Sequence, residues 1–136
     1  AALGAAWPGS LPVADLAAAD EAPTVRQALL AGAAAGLVTL TAYAPPVATA
    51  AGERPLASPF ARFQAARGDE GVTTLRHEHV RFGDEMAGEL FALLDGTRDR
   101  ASLVAAMRER GAGADAPRRL EASLARLADL ALLVRG

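Results

Sequence analysis

The chain contains no cysteine, and all 14 of its positively charged side chains are arginine because lysine is absent as well. Without cysteine there is neither a disulfide framework nor a thiolate metal site, which fits a reducing compartment. Aromatic residues make up 4% of the chain, and 35 of its hydrophobic positions are alanine. We therefore expect a thin core with few large side chains, and the bias towards arginine, alanine and glycine indicates a GC-rich bacterial genome.

Long hydrophobic runs and an excess of one charge are missing too. The alanine-rich segment 29–38 is shorter than the roughly 20 apolar residues that span a bilayer, so no membrane association is expected. The net charge is −2, whereas nucleic-acid binding draws on clustered positive charge. The chain starts at Ala1 without a basic signal segment. These features predict a cytoplasmic fragment of a larger protein.

The first third has the element order of a winged helix-turn-helix unit. Residues 13–19 are predicted as a short helix, and residues 24–35 as a longer one that Gly36 ends. The alternating, β-branched stretch 37–43 predicts a strand. Alanine, threonine, glycine and proline dominate residues 48–57, a composition typical of a linker. We place a first unit at residues 1–47 and a linker at 48–57.

Residues 58–136 are predicted to form a second unit. Ser58 is a good N-cap for a helix through residue 67 that Gly68 ends, and residues 72–82 predict one or two strands. Three helices with periodic apolar residues follow, the first capped by Asp84 with Met86 on its apolar face. Their predicted ranges, with that of a terminal strand or packed tail, are 85–94, 100–110, 117–130 and 132–134.

A weak internal repeat supports two related units. Residues 7–16 align with residues 94–103, and residues 36–38 align with residues 131–133. Short helices separated by glycine also align by chance in an alanine-rich chain, so this alternative stays open. The predicted fold class is mainly α with short β (α+β), as two winged helix-turn-helix-like units in tandem.

Residues with chemical potential are few, and each has a structural explanation. His77 and His79 would share one face of a strand, but a third metal ligand is not visible, which favours a solvated strand face. The acidic pairs near residues 84 and 95 are typical of helix ends and turns. The glycine-rich loop 111–115 follows a predicted helix, whereas a nucleotide cradle follows a strand. No catalytic, cofactor or metal site is expected in this chain.

The arginines favour protein contacts over DNA binding. The longer helix of the first unit carries only Arg26, and the last helix mixes both charges. Docking of a protein through strand edges and helix grooves is favoured instead. Trp7 is predicted to anchor the first helix in the core. The candidate protein-contact residues are Arg54, Arg62, Arg67, Arg76, His77, His79 and Tyr43.

Three segments carry a resemblance to a known family. They are ERPLASPFARFQAA at residues 53–66, VTTLRHE at residues 72–78 and the LLDGTR run at residues 93–98. Together they resemble the C-terminal region of the bacterial methyltransferase regulatory-domain family, which includes protein lysine methyltransferases. Residues 7–8 and 36–38 continue the likeness, which therefore spans nearly the whole chain. The LLDGTR run also looks like small peptide-binding winged-helix proteins.

The resemblance implies that catalysis and the cofactor S-adenosylmethionine belong to a class I domain upstream of this chain. It also implies a non-catalytic accessory role for the chain, in contact with that upstream methyltransferase domain or with a protein substrate. Two alternatives remain: a stand-alone peptide-binding chaperone module and a DNA-binding regulator. A homodimer stays open as well.

Overall fold

The computed structural model describes residues 2–18, 20–81 and 85–136, and every element below lies in these ranges. The described elements are mostly helical and include one two-stranded antiparallel sheet, so the α+β class is confirmed. In chain order they are α1 (Ala2–Ala6), a 3-10 turn (Val13–Asp15), α2 (Ala22–Ala34), α3 (Pro59–Ala66), β1 (Val72–Thr73), β2 (His79–Val80), α4 (Glu85–Leu93), α5 (Arg100–Glu109) and α6 (Ala116–Asp129).

The core is built by α4, α5, α6 and the C-terminal segment. Helix α6 buries Leu120, Leu124 and Leu127 on one face, at the spacing of an amphipathic helix, as the periodicity predicts. The described part of the chain holds no helix with both the length and the apolar character needed to cross a membrane. The largest fully buried side chains are Val47, Val72, Phe91, Leu94, Leu103, Leu120, Leu124, Leu132 and Leu133.

Extended segments that are distant in sequence pair across this core. Val134 forms an antiparallel bridge with Val47, and Leu133 forms one with Ala57. A third antiparallel bridge joins Leu56 to Asp95. The predicted terminal strand therefore exists as a single bridged segment that contacts both ends of the predicted linker.

Arg100 ties the middle of the predicted linker to α5 and α6. Its guanidinium donates hydrogen bonds to the carbonyl oxygens of Gly52 and of Ala51, the latter at 3.1 Å. The same side chain forms an ion pair with Glu121 on α6, with 2.7 Å between Nε and Oε1. The linker backbone is thus held against the second unit, while the boundaries at 47 and 57 stay predictions.

The helix ends follow the predicted capping chemistry. The Ser58 hydroxyl accepts a hydrogen bond from the Ala61 N–H at 3.4 Å, and the Asp99 carboxylate accepts one from the Ser102 N–H at 2.8 Å. Gly68 takes a φ of +75°, which lets α3 end where the sequence predicts. The predicted cap Asp84 and the side chain of Met86 lie outside the described residues.

The predicted strand region 72–82 forms a hairpin of two short strands, and residue 82 lies outside the described residues. Val72 pairs with Val80, and Thr73 pairs with His79. The side-chain amide of Gln64 on α3 accepts from the Thr73 N–H at 2.7 Å and donates to the Thr73 hydroxyl at 3.2 Å. The hairpin is therefore fixed to α3 through both the oxygen and the nitrogen of the Gln64 side-chain amide.

The prediction of a strand over residues 37–43 is wrong. The segment consists of bends and irregular backbone, and Leu37 is 82% exposed. Alternation and β-branched residues favour an extended chain locally, but a strand needs a partner strand, and this segment has none among the described residues. The helix predicted over 13–19 is likewise reduced to one 3-10 turn, and residue 19 is not described.

The first third lacks a core of its own in its described part. Before Val47, the buried class contains only Pro8 and Pro45 and no large aliphatic or aromatic side chain. Trp7, predicted to anchor the core, is 53% exposed, so this prediction is wrong. Alanine on α2 offers too little surface to enclose a bulky ring. The tandem arrangement of two winged-helix units therefore stays a prediction.

Candidate functional site

The LLDGTR run forms a closed turn between α4 and α5. The Asp95 carboxylate accepts hydrogen bonds from the Thr97 N–H, at 2.9 Å, and from the Thr97 hydroxyl. Its other oxygen pairs with Arg98, whose guanidinium also donates to the Leu93 carbonyl at 3.3 Å. Gly96, with a φ of +80°, completes the turn. The run thus holds two helices together, which explains why these residue types occur at this spacing.

The hydrogen bonds from Thr97, followed by the pairing with Arg98, lower the pKa of Asp95 to about 2. Because this pKa lies below the usual 3.8, the carboxylate stabilises the fold above about pH 4 and loses that effect as the pH falls towards 2. Asp95→Asn should lower the free energy of unfolding by about 1–2 kcal/mol at pH 7. This range allows for screening by solvent, because the Asp95 side chain is 24% exposed.

Urea unfolding at pH 7, 4 and 2.5 measures this effect. The difference between the native chain and Asp95→Asn should shrink as the pH falls. Asp129→Asn, at the exposed end of α6, serves as the matched control and should change stability by less than about 0.5 kcal/mol. If Asp95→Asn lowers the free energy of unfolding by the same amount at all three pH values, the stabilising effect of the Asp95 carboxylate is contradicted.

Two of the predicted contact arginines bind carbonyl oxygens of their own chain. Arg62 on α3 donates to the Ala92 carbonyl in the last turn of α4 at 3.2 Å, where helical carbonyls have no partner of their own. Arg54 donates weakly to the Thr97 carbonyl, at 3.5 Å. Both side chains thus bind backbone near the α4–α5 turn, which their sequence neighbourhood alone does not reveal.

Arg67 remains at the surface, beside an exposed aromatic ring. Its guanidinium carbon lies 5.6 Å from the ring centre of Phe63, which is 58% exposed, and its Nε lies 3.9 Å from Asp69. Phe60, one turn earlier on α3, is 59% exposed. This end of α3 combines apolar and cationic surface, which suits a protein contact.

Tyr43 and His77 bind each other and join the first third to the hairpin. The Tyr43 hydroxyl lies 2.6 Å from His77 Nε2, and the two rings meet edge to face at 6.4 Å between centres. They share a shallow cleft of about 260 Å³ with Pro45, Pro46 and Phe60. The pair therefore offers a mixed aromatic surface between the two parts of the chain.

The two histidines do not share a strand face as predicted. His77 lies in the turn with a φ of +64°, and only His79 belongs to β2. The register of the hairpin places the turn at residues 74–78, which the alternation of residue types does not show. Across the described ranges, no three histidine, cysteine or acidic side chains come together as a metal site would require.

Arg76 stacks on Trp7, a contact across 69 positions of sequence that no local pattern predicts. The guanidinium carbon lies 3.9 Å from the centre of the indole ring, a cation–π geometry. The side chain is 18% exposed, and one terminal nitrogen lies 3.6 Å from the exposed carboxylate of Glu78. The other, Nη1, is buried without a hydrogen-bond partner among the described residues. An unpaired buried donor is costly, so this nitrogen is a candidate for binding an acceptor.

A half-open cleft of about 290 Å³ lies next to this pair. Its walls come from the first third of the chain and are mostly apolar, and Arg76 is the only charged side chain among the described residues that line it. The composition predicts a thin core with few large side chains. In the first third this leaves the cleft unfilled. Side chains that line the cleft are Leu3, Trp7, Val13, Leu16, Val38 and Leu40.

The glycine-rich loop 111–115 does not have the usual setting of a cofactor loop. It runs from α5 into α6, whereas the cradle that binds a nucleotide-type cofactor follows a strand and leads into a helix.

Comparison with known proteins gives a consistent result for the second unit. Residues 53–117 match the family model for the PKMT C-terminal winged helix domain, the domain of protein lysine methyltransferases. This match confirms the resemblance and includes the ERPLASPF and LLDGTR segments. A comparison with curated protein sequences gave no match.

Two solved structures share the fold over a longer stretch. PKMT2 from Rickettsia typhi is 18% identical, with a TM-score of 0.67, over 85% of this chain and 27% of that one. PKMT2 from the same organism in complex with AdoHcy is 18% identical, with a TM-score of 0.65, over 84% of this chain and 27% of that one. The chain thus spans about a quarter of the length of these structures.

Proposed function

We propose that this chain is a C-terminal accessory region of an S-adenosylmethionine-dependent protein methyltransferase, and that it makes protein contacts without transferring the methyl group itself. The observation that carries the proposal is the match of residues 53–117 to the PKMT C-terminal winged helix domain. The PKMT2 structure with bound AdoHcy supports a parent enzyme that uses this class of cofactor.

The distribution of charge supports a protein partner over a nucleic acid. Arg54 and Arg62 bind carbonyl oxygens, Arg100 pairs with Glu121, and Arg76 is largely buried against Trp7. Phosphate binding needs arginines that are free and clustered. Exposed aromatic and aliphatic side chains are the more prominent surface feature, and such surfaces bind protein.

The contact residues follow from this surface. Arg67, His79 and Tyr43 are exposed, and two of them, Arg67 and Tyr43, also contact Asp69 and His77. Arg54, Arg62, Arg76 and His77 have partners within the chain as well. We place the partner surface on the first third, the hairpin turn and the exposed end of α3. A cytoplasmic location, which fits the absence of cysteine, is a further part of the proposal, and a homodimer stays open.

The coding sequence upstream of Ala1 is the first test, and we expect it to encode a class I methyltransferase domain. The longer protein and a version that ends before Ala1 are then compared for binding of S-adenosylmethionine by calorimetry and for methyl transfer to protein lysines. The shortened enzyme should bind the cofactor as before but methylate protein at least tenfold more slowly. Retained cofactor binding shows that the shortened enzyme is folded.

The isolated chain supplies the complementary measurement. It should show no heat of binding with S-adenosylmethionine and no transfer of a labelled methyl group. Cofactor binding by the isolated chain, or full protein methylation by the shortened enzyme, would contradict an accessory role.

A further inference from the structure

We propose that the cleft beside Trp7 and Arg76 is a docking site for a protein segment that carries apolar side chains and one carboxylate. The inference rests on the proposed role in protein contacts and goes further, since it names the site and the chemistry of the partner. Its position between the first third and the hairpin also gives the otherwise coreless first third a function.

Exposed hydrophobic side chains are concentrated in the first third of the chain. Of the nine large hydrophobic side chains that are exposed in the described residues, seven belong to the first 43 positions. Five of them, Leu3, Trp7, Val13, Leu37 and Leu40, also line the cleft and are 42–82% exposed. A continuous apolar patch of this kind marks an interaction site in a folded protein.

Arg76 supplies the positive charge of the cleft. It is the one cationic group at a cleft whose other described lining residues are uncharged, and its Nη1 lacks a hydrogen-bond acceptor. Glu78 is 57% exposed and lies 3.6 Å from the other terminal nitrogen, so it leaves Nη1 unpaired. A carboxylate fits a guanidinium because two oxygens match two parallel N–H groups.

Trp7 lies against this guanidinium. Its ring covers the guanidinium carbon at 3.9 Å and is 53% exposed, so a segment that binds Arg76 also comes close to the indole. An entering carboxylate pairs with N–H groups at the edge of the guanidinium, while apolar side chains occupy the cleft. The apolar residues that line the cleft extend well beyond Arg76. This favours a peptide segment over a small free anion as the occupant.

The single tryptophan makes the test direct, because Trp7 is the only source of indole fluorescence. The probes are two capped hexapeptides of leucine and serine, one with a central glutamate and one with glutamine in its place. The glutamate peptide should shift the Trp7 emission and bind at least tenfold more tightly than the glutamine peptide. Equal binding of the two peptides, or no binding of either, would overturn the proposal.

Two pairs of variants locate the effect. Arg76→Gln should abolish the preference for glutamate, while Arg81→Gln, which removes an exposed partner of Glu70 on the same hairpin, should keep it. Leu40→Glu places a like charge in the cleft and should weaken the glutamate peptide at least fivefold. Leu30→Glu, at a 63% exposed position that is not among the cleft residues, should leave binding unchanged.

Circular dichroism melting shows that each variant is folded. If Arg76→Gln unfolds, the Leu40→Glu and Leu30→Glu pair decides the location by itself, and equal binding by these two variants counts against the cleft. Sedimentation of the chain alone reports a second copy in the cleft; dimerisation that Leu40→Glu abolishes would replace the peptide as the occupant and overturn the proposal. If neither peptide binds but protein methylation by the longer enzyme still depends on this chain, the docking site is contradicted. The proposed accessory function is then unaffected.

Discussion

Phe91→Ala should lower the free energy of unfolding by about 3–5 kcal/mol, the largest effect expected of any single substitution in this chain. Phe91 lies on α4, is fully buried and belongs to the core cluster formed with α5 and α6. The other large side chains of this cluster are mostly leucines, and closely packed neighbours relax only partly into the space that the ring leaves. The loss therefore combines the lost burial of the ring with the cost of a cavity.

Urea unfolding followed by circular dichroism measures the effect. Phe60→Ala is the matched control, since it removes the same ring from a position that is 59% exposed, and it should cost less than about 1 kcal/mol. A small domain has a total stability of about 5–15 kcal/mol, so the Phe91 variant should be partly unfolded near 37 °C. Similar midpoints for the two variants would show that the core lies elsewhere.

Leu133→Ala should cost about 2–5 kcal/mol. Leu133 is 1% exposed and sits in the C-terminal segment, where it pairs with Ala57 and accepts a hydrogen bond from the Ala48 N–H at 2.9 Å. Truncation leaves the backbone bridges in place but removes the side chain that packs beneath them. The backbone amides at both ends of the predicted linker should then lose their protection from hydrogen exchange together.

Hydrogen exchange combined with denaturant melts tests this prediction. Leu37→Ala, at a leucine that is 82% exposed, is the control and should leave both stability and exchange nearly unchanged. Faster exchange at the Ala48, Ser58 and Val134 amides is expected in the Leu133 variant alone. Unchanged protection at Ala48 and Ser58 would mean that the linker is held independently of the C-terminal segment.

Helices and their ends were predictable because their determinants lie within a few residues of one another. Helices α2 to α6 occur where apolar periodicity and capping residues place them, to within one or two positions. Ser58, Asp99 and Gly68 act on backbone groups three or four positions away, so no distant part of the chain is needed. The LLDGTR turn belongs to the same class of local structure.

The candidate site was predictable only in its residue types. Arginine, histidine and tyrosine near residues 43–77 indicated a contact surface, and the structure brings Tyr43 onto His77. The partner of Arg76 was missed, since Trp7 was expected inside a core. A paired bulky ring and cation that are far apart in sequence leave no periodic signal.

Local chemistry alone thus decided the limits of α2 to α6 and the closed turn after α4, because backbone hydrogen bonds and caps operate over three to five residues. Tertiary structure decided whether extended segments become strands. Residues 132–134 pair because Val47 and Ala57 are brought beside them, whereas residues 37–43 have the composition of a strand and remain irregular without a neighbour among the described residues. A helix satisfies its own backbone, and a strand depends on another segment to do so.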